Sequence, residues 1–270
     1  WPYLWGEPLL RLLITFRLMT AFPWPGEVLF AGAFYAGNEL PRSYLPTLFA
    51  LQLTEPLLLL VGLGLAFFLR KSAPVEMLLL CLAWFGLPLL MALVGRPYLY
   101  DNFRQMLFIL PPLFLLAGWG LQNIWQRLSR PWLRAVLLAI VLLPGLVGIL
   151  RTHPYQYIYY NSLVGGLPGA FRQYEMDYWG TSFRAAARFL NANAPQDAAV
   201  VVVGPPTTLW RYIRPDIRVY NIVETTKPAN DYYLLVSTRN NRDLDTFPNA
   251  PTVYQVEKDG AILAVLRFIK

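Results

Sequence analysis

Four apolar stretches in the middle of the chain restrict its possible folds more than any other feature. They cover about residues 46–69, 77–95, 105–125 and 135–151. The few charges between Arg42 and His153 lie mostly at the ends of these stretches. A helix needs about 20 apolar residues to cross a membrane core about 30 Å thick. The pattern therefore predicts a polytopic α-helical membrane protein, with about four transmembrane helices within residues 46–152.

The composition supports a membrane protein and excludes several other classes. Of the 270 residues, 56% are hydrophobic and 14% are charged, whereas soluble domains have about 25% charged residues. The net charge is +7, but Lys and Arg form no dense run, so the predicted partner is anionic membrane lipid and not nucleic acid. Cys81 is the only cysteine and there is no cluster of Cys and His, so the sequence identifies no metal site and no cofactor. Whether a divalent metal assists is left open.

Basic residues at the ends of the apolar stretches predict the orientation of the chain. One side of the membrane would receive Arg70, Lys71, Arg127, Arg130 and Arg134. The short loop on the opposite side holds only Arg96 and Arg104. Positive charge is enriched in cytoplasmic loops. We therefore expect the first set in the cytoplasm and everything after Arg151 outside it.

Residues 1–45 are predicted to form an interfacial helix followed by an extracytoplasmic loop. The helix, within residues 1–21, carries Arg11 and Arg17 among its leucines. Each arginine would cost about 2.5–3.5 kcal/mol at the membrane centre, so a helix lying in the membrane surface is expected. The loop of residues 22–46 is rich in Pro and Gly. Because the chain begins with Trp1, it reads as a piece of a longer protein.

Residues 153–270 have the composition of a soluble α/β domain. Apolar spacing predicts a helix over residues 181–193 and a short helix over residues 207–213. Short apolar runs predict strands over residues 198–203, 218–222, 232–236, 252–257 and 262–269. Asp259-Gly260 between the last two runs is typical of a β-hairpin. The segment therefore predicts a strand–helix–strand domain with an antiparallel edge.

The loop between the second and third apolar stretches is the most suggestive candidate site. It contains Arg96, Tyr98, Tyr100, Asp101, Arg104 and Gln105. The planar guanidinium group of arginine matches a phosphate group with two parallel hydrogen bonds. The alternative is that Asp101 pairs with an arginine nearby and that the arginines only anchor helix ends. The spacing alone does not decide between them.

Two further candidates lie before and inside the first apolar stretch. Tyr44 ends a Gly- and Pro-rich loop, and its phenol is able to donate a hydrogen bond to a phosphate oxygen. The alternative is that this loop is only a connector. Glu55 would be an ionisable group inside the membrane, which marks a functional site by default. Its alternative is a span that begins later and leaves Glu55 near the lipid head groups.

Acidic residues also occur in the aromatic segment of residues 155–180. Glu175 and Asp177 are two apart, so they share a face on a strand but diverge on a helix. An acid pair is one interpretation of this spacing. A structural join between the membrane part and the α/β domain is the favoured one.

Three stretches of this chain resemble a known enzyme family. They are ELPRSYLPTLFALQLTEPLLLL (39–60), DNFRQMLFILPPLFLLAGWGL (101–121) and YIYYNSLVGGLPGAFRQYEMDYWG (157–180). Their order resembles the C-terminal half of GT-C glycosyltransferases, such as the protein O-mannosyltransferases and lipid A aminoarabinose transferases. Arg42 and Ser43 depart from the aromatic pair of these relatives, and Glu55 departs from their usual Thr.

The resemblance implies an inverting transfer of a sugar from a polyprenyl-phosphate carrier to an extracytoplasmic acceptor. It implies the cytoplasmic membrane of a prokaryote, and a catalytic acidic residue upstream of this chain, so no catalytic residue is assigned here. The lipid phosphate would bind Arg104, with Arg96, Tyr44 and Gln105 as further donor-binding residues. The site would be lined by Glu55, Tyr98, Tyr100 and Asp101. The competing interpretation is a non-catalytic, membrane-anchored module that binds a glycan or a partner protein.

Overall fold

The computed structural model describes residues 2–20, 24–70, 75–223, 228 and 231–270. The chain divides into two compact units. The first unit comprises Trp1–Val28, Phe34–Ala50 and Leu57–Pro131. The second comprises Leu29–Ala33, Leu51–Pro56 and Trp132–Lys270. Residues 132–152, which include the last predicted apolar stretch, therefore group with the α/β region.

The first half of the chain is mostly helical. Its elements are α1 (Pro8–Thr20), β1 (Glu27–Phe30), β2 (Ala33–Ala36), α2 (Tyr44–Gln52), α3 (Glu55–Arg70), α4 (Val75–Gly95), α5 (Pro111–Trp125) and α6 (Pro131–Thr152). The second half combines short helices with a sheet. Its elements are α7 (Gly166–Ala170), α8 (Phe183–Asn193), β3 (Ala199–Val203), α9 (Thr207–Trp210), β4 (Arg218–Asn221), β5 (Tyr232–Ser237), α10 (Arg242–Asp245), β6 (Thr252–Lys258) and β7 (Ala261–Ile269).

Two helices of the described chain, α4 and α6, are long and apolar enough to cross a membrane. They contain 21 and 22 residues and coincide with the second and fourth predicted spans. A third span is added if α2 and α3, which are bent by 113° relative to each other, are counted as one. The helix predicted near the N-terminus is present as α1.

The first predicted span is not one continuous helix, and the prediction was wrong on this point. The chain breaks at residues 53–54, and Pro56 follows in the first turn of α3, where its missing backbone N–H prevents one continuous helix. Asn161 binds the carbonyl groups at the break. Its backbone N–H donates to the Leu51 oxygen at 2.8 Å, and its side-chain amide donates to the Leu53 oxygen at 2.7 Å.

The third predicted span also begins later than expected. Arg104–Ile109 forms a 3-10 helix, and α5 starts at Pro111 instead of carrying both prolines in its interior. Proline is favoured in the first helical turn because its fixed φ suits the helix and the backbone there needs no N–H donor. The two prolines therefore begin α5, which is 15 residues long.

A β-hairpin occupies part of the segment that the sequence predicted as a loop. β1 and β2 form a two-stranded sheet. The connecting residues Ala31 and Gly32 both have positive φ, 51° and 78°, which is typical of the two-residue turns that match the twist of a hairpin. The sequence analysis took the glycines here as loop residues and missed the strands.

Helices α3 and α5 pack against each other through glycine. A Cβ atom added at Gly64 would lie 1.9 Å from the backbone oxygen of Leu116. One added at Gly120 would lie 2.5 Å from the backbone oxygen of Leu60. Small residues allow helix backbones to approach closely, and this mode of packing is common between helices in membranes.

The α/β region has a five-stranded mixed sheet in the order β4-β3-β5-β7-β6. β3 pairs in parallel with β4 and β5, and β7 pairs antiparallel with β5 and β6. Helix α8 packs on this sheet, where Phe189 stacks on Tyr254 with ring centroids 4.3 Å apart. The predicted strand–helix–strand domain with an antiparallel edge is therefore confirmed. The hairpin turn lies at Asp259-Gly260, as the sequence predicted.

The glycine contact between α3 and α5 predicts a specific loss of stability. We expect Gly64→Ala to lower the free energy of unfolding by about 1–3 kcal/mol, because the added methyl group would force the two backbones apart. Gly62→Ala, on the same helix with nothing within 4 Å of its Cβ position, should be neutral or stabilising by up to about 1 kcal/mol. Thermal unfolding of the two variants in the same detergent checks this. Equal melting temperatures would contradict the packing.

Candidate functional site

The predicted loop of residues 96–104 packs against the segment that precedes α2. The backbone N–H of Leu99 donates to the Gly37 oxygen at 3.0 Å, and the ring of Trp24 stacks on Tyr100 with centroids 4.5 Å apart. The buried hydroxyl of Tyr44 donates to the Asn102 oxygen at 3.3 Å. The structure therefore brings Tyr44 together with this loop, as the site prediction required.

Arg104 lies beside Asp101 on this loop. The two side chains form an ion pair at 3.1 Å, and the Asp101 side chain is 6% exposed against 32% for Arg104. The guanidinium group also lies over the Tyr100 ring, 5.0 Å from its centroid. The positive charge of Arg104 is therefore balanced within the loop, which is the local pairing that the sequence analysis left open as the alternative.

A shallow cleft joins the loop to the segment before α2 and to the end of α4. It is lined by Gly37, Asn38, Leu40, Pro41, Arg42, Tyr44, Leu45, Ala92, Leu93, Arg96, Pro97 and Leu99. Two of these residues, Arg42 and Arg96, are exposed arginines. Within the described residues neither forms an ion pair or a side-chain hydrogen bond. The cleft therefore carries two positive charges that are not balanced by a neighbouring carboxylate.

The remaining predicted residues of the loop do not line this cleft. The side-chain amide atoms of Gln105 are buried without a hydrogen-bond partner in the described part of the chain. The ring of Tyr98 packs against Gly37, because a Cβ atom added at Gly37 would lie 3.3 Å from this ring. Arg42 was missed as a site residue because the sequence analysis treated it only as a departure from the relatives. The sequence feature that could have identified Arg42 is its position, two residues before the predicted site residue Tyr44.

Glu55 lies in a different cavity, within the second compact unit. This cavity has a volume of about 360 Å³. The Glu55 carboxylate accepts hydrogen bonds from the Ser162 backbone N–H at 2.7 Å and from the Ser162 hydroxyl at 2.6 Å. The predicted site residues are therefore divided: Tyr44 and Arg96 line the cleft, whereas Glu55 lines this second cavity.

Glu175 and Asp177 have different partners in the structure. Glu175, which is buried, forms an ion pair with Arg239 at 3.0 Å. Asp177, also buried, accepts hydrogen bonds from the Tyr157 hydroxyl and from the backbone N–H groups of Thr181 and Ser182. These contacts support the interpretation of residues 155–180 as a structural join.

The environment of Asp177 is unusual for a carboxyl group. Burial raises its pKa, and hydrogen bonds from Ser182, Tyr157 and Thr181 oppose that rise. Burial and the neighbouring Asp177 carboxyl raise the pKa of Tyr157 well above its usual value. The Tyr157 hydroxyl is therefore protonated at neutral pH and donates to Asp177. Asp177 thus binds the backbone N–H groups of Thr181 and Ser182, the two residues directly before α8.

Comparison with known proteins identifies no relative of this chain. No protein-family model, no curated protein and no solved structure matches this chain. Within the described residues, no group of three or more His, Cys, Asp or Glu side chains is arranged to hold a metal ion.

The contacts of Asp177 predict its effect on stability. Replacing it with alanine would remove the acceptor of the buried Ser182 hydroxyl and backbone N–H, at a cost of about 1–3 kcal/mol each. We expect Asp177→Ala to lower the melting temperature of the chain by several degrees. Asp231→Ala, at an exposed acidic residue, should change the free energy of unfolding by less than about 0.5 kcal/mol. Similar melting temperatures for both variants would contradict the structural role of Asp177.

Proposed function

We propose that this chain is the C-terminal part of a membrane glycosyltransferase of the GT-C type, using a sugar carried on a polyprenyl phosphate. The carrier phosphate binds in the cleft between the end of α4 and the segment before α2. Its ligands are Arg42 and Arg96, with Tyr44 in the cleft wall. The acceptor lies outside the cytoplasm.

The observation that carries this proposal is the pair of unbalanced guanidinium groups in one cleft. Arg96 directly follows α4, which is long and apolar enough to cross a membrane. A guanidinium group at the end of such a helix lies at the depth of lipid head groups, where it meets a lipid phosphate. Phosphate is bound most strongly by charge-assisted hydrogen bonds from arginine. Since neither arginine has an ion-pair or side-chain hydrogen-bond partner among the described residues, both are available for such bonds.

The proposed topology has four crossing helices, α3 to α6. α3 and α5 have 16 and 15 residues, or about 24 and 22 Å at 1.5 Å per residue. They are shorter than α4 and α6, and their glycine contact supports placing them together inside the membrane. In chain order, this topology puts Arg130 in the cytoplasm and Arg96, Glu55 and the sheet region outside it.

The exposed leucines of α1 support a place for this helix at the membrane surface. Leu9 and Leu13 are 78% and 66% exposed, while Arg11 and Arg17 lie on the same helix. A helix with this composition binds in the layer between head groups and acyl chains.

The proposed reaction requires cations for the leaving phosphate and a base for the acceptor, and the cleft provides the cations. Cations stabilise the phosphate that leaves when the sugar is transferred. A base is needed to deprotonate the acceptor, and we assign none in this chain. The resemblance places that acidic residue on a loop further upstream.

Sugar transfer by the full-length protein tests the proposal. We expect the double variant Arg42→Ala/Arg96→Ala to reduce kcat/KM for a polyprenyl-phosphate sugar by about 100-fold or more, because each charged hydrogen bond contributes about 1.5–3 kcal/mol. Arg130→Ala is the matched control, since it removes one exposed arginine on the proposed cytoplasmic side. It should leave transfer unchanged.

Three other outcomes distinguish the alternatives. A larger loss of kcat/KM in Arg104→Ala than in the double variant would indicate that the phosphate binds Arg104, the residue that the sequence favoured, despite its pairing with Asp101. Unchanged transfer in the double variant would reject the cleft. Binding of the carrier without transfer by the full-length protein would favour the non-catalytic binding module.

A further inference from the structure

The second cavity lies along α6 and is built entirely from residues of one compact unit. It is lined by Glu55, Pro144, Val147, Gly148, Arg151, Thr152, Tyr159, Tyr160, Asn161, Ser162, Gly165, Gly166, Leu167 and Asp259. We call it the α6 cavity. Its volume of about 360 Å³ lies in the range of small-molecule sites, roughly 300–1,000 Å³. Neither Arg42 nor Arg96 contributes to it, so it is separate from the proposed phosphate cleft.

The α6 cavity changes from apolar to polar along the helix. Residues 144, 147, 148, 151 and 152 share one face of α6 because of the 3.6-residue period. Pro144 and Val147 form the part of this face that would lie deeper in a membrane, and Arg151 and Thr152 form the last turn. The distance along the helix axis from Pro144 to Thr152 is about 12 Å. A ligand with an apolar part and a polar head fits this gradient.

Tyr159 lies directly on α6 because a glycine makes room for it. A Cβ atom added at Gly148 would be 2.7 Å from the Tyr159 ring. Burial raises the pKa of Tyr159, and the neighbouring Glu55 carboxylate raises it further. The phenol is therefore neutral at physiological pH and offers both a donor and an acceptor to the cavity.

Glu55 is held in position by the loop that forms the cavity wall. Ser162 donates two hydrogen bonds to one carboxylate oxygen of Glu55. An ionised carboxylate has about four acceptor positions, so further donors can bind. The loop itself turns through Gly165 and Gly166, whose φ values of 82° and 67° favour glycine.

The charges of the cavity argue against a phosphate ligand. Arg151 forms an ion pair with Asp259 at 2.7 Å, so the cation of the cavity already has a carboxylate partner. Glu55 then contributes a negative charge that repels an anion. A carboxylate and a phenol beside an apolar wall are well suited to hydroxyl groups, which donate to the first and exchange hydrogen bonds with the second.

We propose that the α6 cavity binds an uncharged polyol, with its hydroxyl groups on Glu55 and Tyr159 and any apolar chain toward Pro144 and Val147. The polyol is either a free saccharide or the head group of a glycolipid. This inference does not rest on the proposed transferase, because it concerns a different cavity and requires no reaction.

Binding of tritiated hexyl β-glucoside to the full chain in lipid nanodiscs tests the proposal, with empty nanodiscs subtracted. We expect saturable binding that is at least about 10-fold tighter than that of hexyl phosphate or hexyltrimethylammonium. Glu55→Gln and Tyr159→Phe should each weaken binding by about 3- to 10-fold. Tyr254→Phe removes a hydroxyl outside the cavity and should leave binding unchanged.

Further arms keep the test decisive. If Glu55→Gln or Tyr159→Phe fails to fold, Val147→Phe fills the apolar part without removing a hydrogen bond, and it should abolish binding. Methyl β-glucoside separates the two sources of ligand. Binding equal to that of hexyl β-glucoside identifies a free saccharide, whereas weaker binding identifies a glycolipid, and both uphold the proposal.

Three results would overturn it. One is no saturable binding of either glucoside, and a second is tighter binding of the ammonium probe, which would make the cavity a cation site. The third is glucoside binding that none of the cavity variants changes. The double variant Arg42→Ala/Arg96→Ala should bind hexyl β-glucoside normally, so failure of this proposal and failure of the phosphate cleft are separately visible.

Discussion

The hydrogen bonds from Asn161 to the break between α2 and α3 are the contacts on which much of this structure depends. A helix interrupted before Pro56 leaves carbonyl groups without intrahelical partners, and a buried carbonyl without a hydrogen bond is costly. Asn161 binds two of them, at Leu51 and Leu53. The next residue, Ser162, binds Glu55 at the start of α3. One short segment thus stabilises the break and orients the carboxylate of the α6 cavity.

The sequence predicted the elements whose signals are local. Apolar runs predicted α4, α6 and the strands of the sheet, and Asp259-Gly260 predicted the last hairpin. The break before Pro56 was not predicted, because it depends on Asn161, more than 100 residues away in the chain. The β1–β2 hairpin was missed because Ala31-Gly32 is a weak turn signal. The sequence brought Tyr44 and the loop of residues 96–104 into one hypothesis, and it left the pairing of Asp101 with a nearby arginine open as the alternative.

Charge compensation distinguishes the ionisable residues that have partners within the fold from those that the two proposals assign to a ligand. Glu175, Asp177 and Asp101 all have partners within their own unit, and they serve structure. Arg42 and Arg96 lie in a cleft without a partner among the described residues. Glu55 is held by two donors but keeps acceptor capacity. The two proposals, an anion at the arginines and hydroxyl groups at Glu55, apply the same rule, that polar groups exposed in a cavity bind their chemical complements.

The proposed function requires the phosphate cleft to lie on the outer side of the membrane, and cysteine labelling tests this topology most directly. In a Cys81→Ala background the chain has no thiol, and Arg130→Cys or Asp231→Cys introduces one at an exposed position. We expect a membrane-impermeant maleimide to label the cysteine at position 231 in intact cells, and the cysteine at position 130 only after permeabilisation. Labelling of position 130 in intact cells, with position 231 protected, would invert the topology and contradict the account.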